Sequence, residues 1–360
     1  MFYLTEHTSE TYPGVRMRPI LSSSTDAMLP PDAGVLTRRR LLALGAAAPL
    51  MSLAGPAGAQ SGAWPNRPVK LVVPFSAGGA ADTSARAVGQ RIGDILGQSL
   101  TIDNRTGGNA VVAANAVLGA PKDGYTFIWD AANQLTNPVL VKDLQIDYRT
   151  AFIPVTMAVR APQALVVRHD FPAQTFDEFI AVARAKPGTI SCGTPPSGAM
   201  GHLAVALLQQ RAGIKLLHTP YRGGADAARD VMGGQIDAAL ITTSTARGTL
   251  ATGKTRMLAV TSATRVQAYA DVPTIAERGF PGYDMDDWFG LFAATGTPEG
   301  PIKRMEAAVA QAARDPALAA AVAPQGFVLV ASSSREFSQW LNGQRELLQK
   351  LIRDANISIG

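Results

Sequence analysis

Cysteine is nearly absent from this chain, with Cys192 the single example in 360 residues. A lone cysteine forms no intramolecular disulfide and supplies no cluster of thiolate metal ligands. Histidine is also scarce, and the spacing of its four residues matches no metal motif. No grouping of Asp, Glu and His indicates an acid–base pair, and no G-x-S-x-G elbow surrounds a serine. These absences argue against an enzyme and predict no metal or cofactor.

Apart from three consecutive arginines at 38–40, charge of one sign is concentrated nowhere along the chain. Lys and Arg number 33 against 28 Asp and Glu, a net charge of +5. The basic residues are scattered, which argues against a nucleic-acid partner, whereas a mildly positive protein suits an anionic ligand. The longest apolar run near the N-terminus, residues 41–53, is shorter than the roughly 20 residues that span a bilayer.

The N-terminal region has the layout of an export signal. Three arginines at 38–40 precede the apolar run at 41–53, and a small-residue site follows at 57–59. This order predicts a secretory signal peptide over residues 37–59, cleaved near Ala59.

Sec export and twin-arginine export both remain open, because the run from Thr37 to Leu42 also resembles a twin-arginine signal. Residues 1–36 are polar and proline-rich, and we interpret them as a non-native or disordered extension, with Met17 and Met28 as alternative starts. The expected location of the mature protein is the periplasm.

Short apolar runs alternate with amphipathic segments through the rest of the chain. Residues 69–75 predict a buried strand, a glycine turn follows, and a helix is expected to begin with Asp82 as its N-cap. Further strands and helices alternate in the same way up to a long terminal helix, which opens with a capping box at 333–336. This alternation predicts an α/β fold with mostly parallel sheets.

Two glycine-containing turns stand out as candidate binding elements, at 75–82 and 193–202. In α/β sheets, ligands bind beyond the carboxyl ends of strands, where helix N-termini present unpaired N–H groups and a partial positive charge. A third segment, 248–255, matches the P-loop pattern, but an apparent strand at 257–261 follows it instead of a helix. We therefore expect no nucleotide site there.

Several segments carry a family likeness, beginning with LVVPFSAGGAAD at 71–82. The others are DNR at 103–105, PKDGYT at 121–126, GHLA at 201–204, HTPYRG at 218–223, GGQID at 233–237, LAVTS at 258–262, WFGL at 288–291 and GTP at 296–298. In this order, from about Trp64 to the C-terminus, the chain resembles the Bug family, the extracytoplasmic solute receptors of tripartite tricarboxylate transporters.

The resemblance implies a two-lobed periplasmic-binding fold, type II-like, with a mostly parallel sheet flanked by helices in each lobe and two hinge crossings. Lobe 1 would comprise residues 60–162 and 286–360, and lobe 2 residues 163–285. Family members hold a ligand carboxylate between the glycine turn of the first lobe and the matching turn of the second. We expect a monomer that closes on a small carboxylate and passes it to the permease subunits of such a transporter.

The residues expected to contact the ligand lie on the two turns and on neighbouring strand ends. They are Phe75, Ser76, Ala77, Gly78, Gly79, Asp82, Asn133, Thr194, Ser197, Gly198, Ala199, His202 and Thr242. Departures from the family pattern, such as Ala80, Ala81 and the pair Pro195–Pro196, remove side-chain hydroxyls and favour a ligand with one carboxylate and an apolar body. Two rival functions stay open: a sensory receptor that presents its closed form to a signalling partner, and an enzyme on the same scaffold.

Overall fold

The protein is described here from a computed structural model, which covers residues 64–358. The predicted extension at 1–36 and the predicted signal peptide at 37–59 lie outside the described residues. The strands are β1 Val69–Val73, β2 Leu100–Asn104, β3 Thr126–Asp130, β4 Phe152–Ala161, β5 Gln163–Arg168, β6 Ser191–Thr194, β7 Leu217–Pro220, β8 Ala238–Thr242, β9 Thr255–Val260, β10 Asp287–Ala294 and β11 Val328–Leu329.

The α-helices alternate with these strands along most of the chain. They are α1 Ala80–Leu96, α2 Val111–Leu118, α3 Asn133–Leu140, α4 Tyr148–Ala151, α5 Phe176–Ala185, α6 Met200–Ala212, α7 Gly224–Met232, α8 Thr243–Ala251, α9 Glu299–Ala312, α10 Pro316–Val322 and α11 Ser334–Asp354. Among the described residues, none of these helices has both the length and the apolar character that crossing a membrane requires.

Local sequence signals account for the ends and buried faces of the helices. In α1, Val88, Ile92 and Leu96 recur on one face and are buried, because residues four apart lie on the same side of a helix. The chain leaves α1 through Gly97, whose φ of 72° is a left-handed conformation that glycine adopts at little cost. The predicted capping box of α11 is present, with reciprocal hydrogen bonds between Ser333 and Glu336.

Two sheets organise the structure. The first has six strands in the order β11-β4-β10-β3-β1-β2, and the second has five in the order β7-β6-β8-β5-β9. We call the part built on the first sheet lobe 1 and the part built on the second lobe 2. The predicted α/β two-lobed class is therefore confirmed.

The sheets are mixed, and in this respect the expectation of mostly parallel sheets was wrong. In lobe 1, β1 pairs in parallel with β2 and β3, whereas β10 runs antiparallel to both β3 and β4. The reason is the connection between the lobes: β10 enters lobe 1 at the edge where β3 and β4 end. In lobe 2, β5 is antiparallel to β8 and β9 for the same reason.

The chain crosses between the lobes twice. It passes from β4 to β5 at Pro162, and it returns between β9 and β10. The two crossings lie side by side: the backbone N–H of Gln163 donates to Thr261 Oγ1 at 3.2 Å, and its side-chain Nε2 donates to the carbonyl of Met285 at 3.0 Å. We retain the lobe boundaries at 162/163 and 285/286 as a proposal.

Candidate functional site

The loop between β1 and α1 supplies the lobe 1 side of the cleft. Gly78 has a φ of 81°, so the chain needs glycine there, whereas Gly79 is the N-cap of α1 with an ordinary φ of −78°. Ala77 and Gly78 are exposed, while Gly79, Ala80 and Ala81 are buried. The first N–H groups of α1, which lack intrahelical acceptors, therefore begin beside the cleft.

Asp82 has a different place from the one expected. The helix begins at Ala80, so Asp82 is in the first turn and is not the N-cap. Its Oδ2 accepts from the N–H of Gly78 at 2.9 Å, and its Oδ1 lies 2.8 Å from Arg86 Nη2. Burial alone would raise the pKa of Asp82, but the hydrogen bonds from Arg86 and Gly78 hold it below its ordinary value. Asp82 thus fastens the glycine loop to the first turn of α1.

Three helix N-termini of lobe 2 face the same cleft. Helix α6 follows Gly198 and Ala199, α7 follows Gly223, and α8 follows Thr242. The hydroxyl of Thr242 lies 2.9 Å from that of Thr245, in the first turn of α8. Lobe 2 therefore presents backbone N–H donors and small side chains.

A cavity of about 20 Å³, the interlobe cavity, lies between the lobes. Lobe 1 contributes Phe75, Gly79, Ala80, Ala81, Asp287 and Phe289; lobe 2 contributes Pro195, Gly224, Thr242 and Thr245. A cavity of this size holds about one water molecule. A small metabolite can enter it only if the lobes separate further than they do in this structure.

Direct contacts between the lobes close the cleft. The hydroxyl of Ser76 in lobe 1 donates to Asp226 Oδ2 of α7 in lobe 2 at 3.0 Å. A Cβ on Gly223 would lie 2.2 Å from Ser76 Oγ, and one on Gly198 would lie 2.2 Å from Leu140 Cδ1. Approach this close is available only to glycine, so the structure represents a closed arrangement.

A second, larger opening lies outside these contacts. This outer cleft has a volume of about 700 Å³ and is also formed by both lobes. Its lining includes Asn109 and Lys142 from lobe 1 and Ser197, His218 and Arg222 from lobe 2. The structure thus places Ser197 at the outer cleft, apart from the interlobe cavity.

The predicted site residues divide between these places. Phe75, Gly79 and Thr242 line the cavity, and Ser76 forms the contact between the lobes. Asn133 is wholly buried at the start of α3, with Nδ2 3.5 Å from the carbonyl of Asn109. The remaining residues, Ala77, Gly78, Asp82, Thr194, Gly198, Ala199 and His202, are not part of the cavity lining. The roles of all these residues in binding stay predictions.

Thr194, the buried His202 and the half-buried His218 form a group behind the lobe 2 loop. The hydroxyl of Thr194 lies 2.8 Å from the carbonyl of Pro195 and 2.7 Å from His218 Nε2. The rings of His218 and His202 stack with centroids 3.7 Å apart, and His202 Nδ1 accepts from the N–H of Gly198 at 3.2 Å. This group fixes the shape of the loop that follows β6.

Burial keeps both histidines neutral. It lowers the pKa of His202 to about 3, with repulsion from His218 as a smaller cause, and it lowers the pKa of His218 to about 4. Neither ring carries a positive charge at neutral pH, so the pair supplies no cation for a ligand anion. Among residues 64–358, no group of three or more acidic, histidine or cysteine side chains is arranged to hold a metal ion.

Two buried carboxyl groups at the cleft edge of lobe 1 were missed by the sequence analysis. Asp130 ends β3 and Asp287 begins β10, and burial raises the pKa of each to about 7. Asp130 is wholly buried, and its oxygens accept from the N–H of Ala131 and from Gln134 Nε2, both at 2.8 Å. Nothing in the local sequence separates these aspartates from exposed ones.

Substituting Asn for Asp130 tests this raised pKa. The folded protein binds this proton more tightly than the unfolded chain, whose Asp pKa is about 3.9. The stability that the neutral acid provides is therefore fully present below about pH 4 and is lost as the pH rises through 7. The free energy of unfolding of Asp130→Asn, relative to wild type, should rise by about 2 kcal/mol from pH 5 to pH 8. Urea unfolding at the two pH values measures this difference, and an unchanged difference would contradict it.

The elements on either side of the P-loop-like segment are not those of a phosphate-binding loop. Residues 248–251 form the end of α8, and β9 begins at Thr255. A helix therefore precedes the loop and a strand follows it, the reverse of a phosphate-binding loop.

The two mixed sheets, the double crossing and the closed cleft define the architecture of a two-lobed periplasmic binding protein. The sequence model of the tripartite tricarboxylate transporter family receptor matches residues 84–357. The chain belongs to this family, and the likeness to the Bug family is confirmed. The family and the fold are those of solute-binding receptors.

Two relatives illustrate the match in sequence. A UPF0065 protein encoded between tcbD and tcbE in Pseudomonas sp. (strain P51) is 32% identical over 323 residues, which cover 89% of this chain and 96% of the relative. BugT of Bordetella pertussis is 28% identical, over 87% of this chain and 98% of its own.

Solved structures show the same fold. A structure of an R. palustris protein with adipate has a TM-score of 0.79 at 32% identity, covering 82% of this chain and 99% of that one. The periplasmic binding protein BugD has a TM-score of 0.78 at 28% identity, with coverage of 82% and 99%. MatC from Rhodopseudomonas palustris with bound malate has a TM-score of 0.75 at 26% identity, with coverage of 80% and 100%.

Proposed function

We propose that the protein is an exported receptor that captures a small carboxylate between its lobes and delivers it to a tripartite tricarboxylate-type transporter. The observation that carries the proposal is the interlobe cavity, where the N-termini of α1, α7 and α8 converge from both lobes. Helix N-termini bind anions because their first N–H groups are unpaired and their dipoles are positive there. The adipate and malate found with two structural neighbours belong to the same ligand class.

Capture proceeds by closure of the lobes. The open receptor exposes the β1–α1 loop and the lobe 2 loops, and the ligand carboxylate binds their N–H groups. Closure then moves the Ser76 loop toward Asp226 and Gly223 with the ligand between them, which removes the ligand from water and strengthens its charge-assisted hydrogen bonds. The transporter recognises the closed form, and the ligand leaves chemically unchanged. The protein is therefore a receptor and not an enzyme.

A ligand screen tests this function directly. Purified protein is freed of any ligand carried through purification and is then mixed with adipate, L-malate, citrate, L-aspartate, nicotinate or benzoate. We expect at least one carboxylate at 100 times its Kd to stabilise the fold by about 2.7 kcal/mol, seen as a rise in Tm. The matched amides, such as adipamide and nicotinamide, should give a much smaller shift, because the charge-assisted bonds are lost.

Two outcomes of this screen would contradict the proposal. One is no shift with any carboxylate, and the other is an equal shift with a carboxylate and its amide. Mass spectrometry of the recovered ligand separates the receptor from an enzyme on the same scaffold, since a receptor returns the molecule intact.

A further inference from the structure

Asp287 occupies an unusual position for an acidic residue in a protein that binds anions. It is the first residue of β10, at the cleft edge of the lobe 1 sheet, beside the return crossing from lobe 2. It is 5% exposed and lines the interlobe cavity together with Phe75 and Phe289. It is the single ionisable residue among those that line this cavity.

The two oxygens of this carboxyl group have different surroundings. Oδ1 accepts from the N–H of Trp288 at 2.9 Å, whereas Oδ2 takes part in no hydrogen bond with any residue between 64 and 358. The two hydroxyl groups in the lining, on Thr242 and Thr245, are hydrogen-bonded to each other. One oxygen of Asp287 is therefore held by the backbone, and the other is available to a molecule in the cavity.

The charged groups around Asp287 provide no cation for it. On its own strand end, Asp286 faces Arg160 of β4 at 3.2 Å, and Asp130 closes β3 on the other side of β10. In α1, Arg86 is bound to Asp82. Across the cleft, Arg222 and Arg229 are bound to Asp226 of α7. Burial first, and then the charges of Asp286 and Asp130, raise the pKa of Asp287 to about 7.

An ionised Asp287 and a ligand carboxylate would place two like charges together in a site shielded from water. Such a contact is strongly unfavourable, and one of two carboxylates that share a site takes up a proton. A neutral carboxyl, in contrast, donates an O–H···O⁻ hydrogen bond, which is short and strong because the acceptor is charged.

We propose that Asp287 is a ligand-contacting specificity residue that receives the ligand carboxylate as a neutral acid, its Oδ2–H donating to a carboxylate oxygen. This inference rests on the proposed function. The proton comes from solvent, so capture above neutral pH takes up one proton for each ligand bound. The cavity thereby selects anions that accept a hydrogen bond at this point, and release of the ligand returns the proton.

Isothermal titration calorimetry measures this proton directly. The probe is whichever of the six screened carboxylates binds most tightly, titrated at pH 8 in phosphate, HEPES and Tris buffers, whose ionisation enthalpies differ. The observed enthalpy should vary with the buffer in proportion to an uptake approaching one proton per ligand. At pH 6 the uptake should be much smaller, because Asp287 is already protonated. Above about pH 8 the affinity should fall about tenfold for each pH unit.

Two variants identify the group. Asp287→Asn keeps the shape and supplies an N–H donor that does not titrate, so proton uptake should vanish and the pH dependence of affinity should disappear. Asp286→Asn is the matched control: it alters the neighbouring carboxylate, which does not line the cavity, and proton uptake should persist.

The outcomes separate this inference from the proposed function. Tight carboxylate binding without proton uptake, or uptake that survives Asp287→Asn, overturns the role of Asp287 and leaves the receptor function standing. Preference for L-aspartate without proton uptake, lost in Asp287→Asn, assigns Asp287 to a ligand ammonium group and likewise overturns the inference. Failure of all six carboxylates overturns the proposed function and this inference with it.

Discussion

Gly223→Val is expected to hold the lobes apart and to weaken ligand binding by at least about 100-fold, equivalent to about 2.7 kcal/mol. A Cβ at this position would lie 2.2 Å from Ser76 Oγ and 2.9 Å from Ser76 N. The hydroxyl can rotate away, but the backbone nitrogen cannot, so the closed arrangement is blocked. The φ of Gly223 is −178°, extended backbone that any residue adopts, and lobe 2 should therefore fold normally.

Small-angle scattering with and without a bound carboxylate provides the measurement. Wild type should become more compact when ligand is added, and Gly223→Val should not. Gly248→Val, on an exposed position of α8 with no atom within 4 Å of its Cβ, serves as the control and should close normally. Compaction of Gly223→Val to the wild-type radius would contradict the closure mechanism.

Gly79→Val is expected to abolish carboxylate binding, again by about 100-fold or more, while the fold persists. The φ of −78° at Gly79 suits any residue, and a Cβ would make ordinary contacts of 3.4 Å to the carbonyl of Ser76 and 3.7 Å to Ala225 N. The valine methyl groups would then occupy a cavity of only about 20 Å³. The free energy of unfolding should change by less than about 1 kcal/mol, because no strain is introduced.

Gly78→Val is the matched control one residue earlier in the loop. A Cβ at Gly78 meets no atom within 4 Å, but its φ of 81° costs a residue with a side chain about 1–2 kcal/mol. This variant should therefore lose stability and keep its affinity in the folded fraction, the opposite of Gly79→Val. Calorimetric titration together with urea unfolding separates the two. Normal affinity in Gly79→Val would remove the glycine from the site.

Much of the framework follows from the sequence because its signals are local. The strand at Val69–Val73, the glycine turn after it and the capping box at Ser333 depend on neighbours within four residues, and the structure contains all three. The start of α1 was predicted two residues or more too late, because Asp82 has the side chain of a typical N-cap residue. Asp82 does accept from a backbone N–H, but the donor is Gly78 in the loop, and Gly79 is the N-cap.

The cavity was harder to predict from the sequence because its lining residues come from distant segments of the chain. Phe75, Gly79 and Thr242 were identified through glycine turns and strand ends. Asp287 stands in the run MDDWFG, where two adjacent aspartates look alike. Only the strand register, which places Asp287 opposite Ala161 at the cleft edge, separates the residue that lines the cavity from Asp286 beside it. The hydrogen bond between Thr194 Oγ1 and His218 Nε2 is equally impossible to predict without the fold.

The two adjacent crossings form the axis about which we expect one lobe to rotate against the other. Pro162 and Met285 lie at this axis and are linked through Gln163. When one lobe rotates, each atom moves in proportion to its distance from the axis. Asp287 is two residues from Met285, so it should move little as the lobes separate. The rim of the outer cleft, with Asn109 on one side and Arg222 on the other, includes no residue of either crossing and should move further. A small rotation about the axis should therefore move the rim over a larger distance. At this part of the surface a partner can most readily distinguish a loaded receptor from an open one.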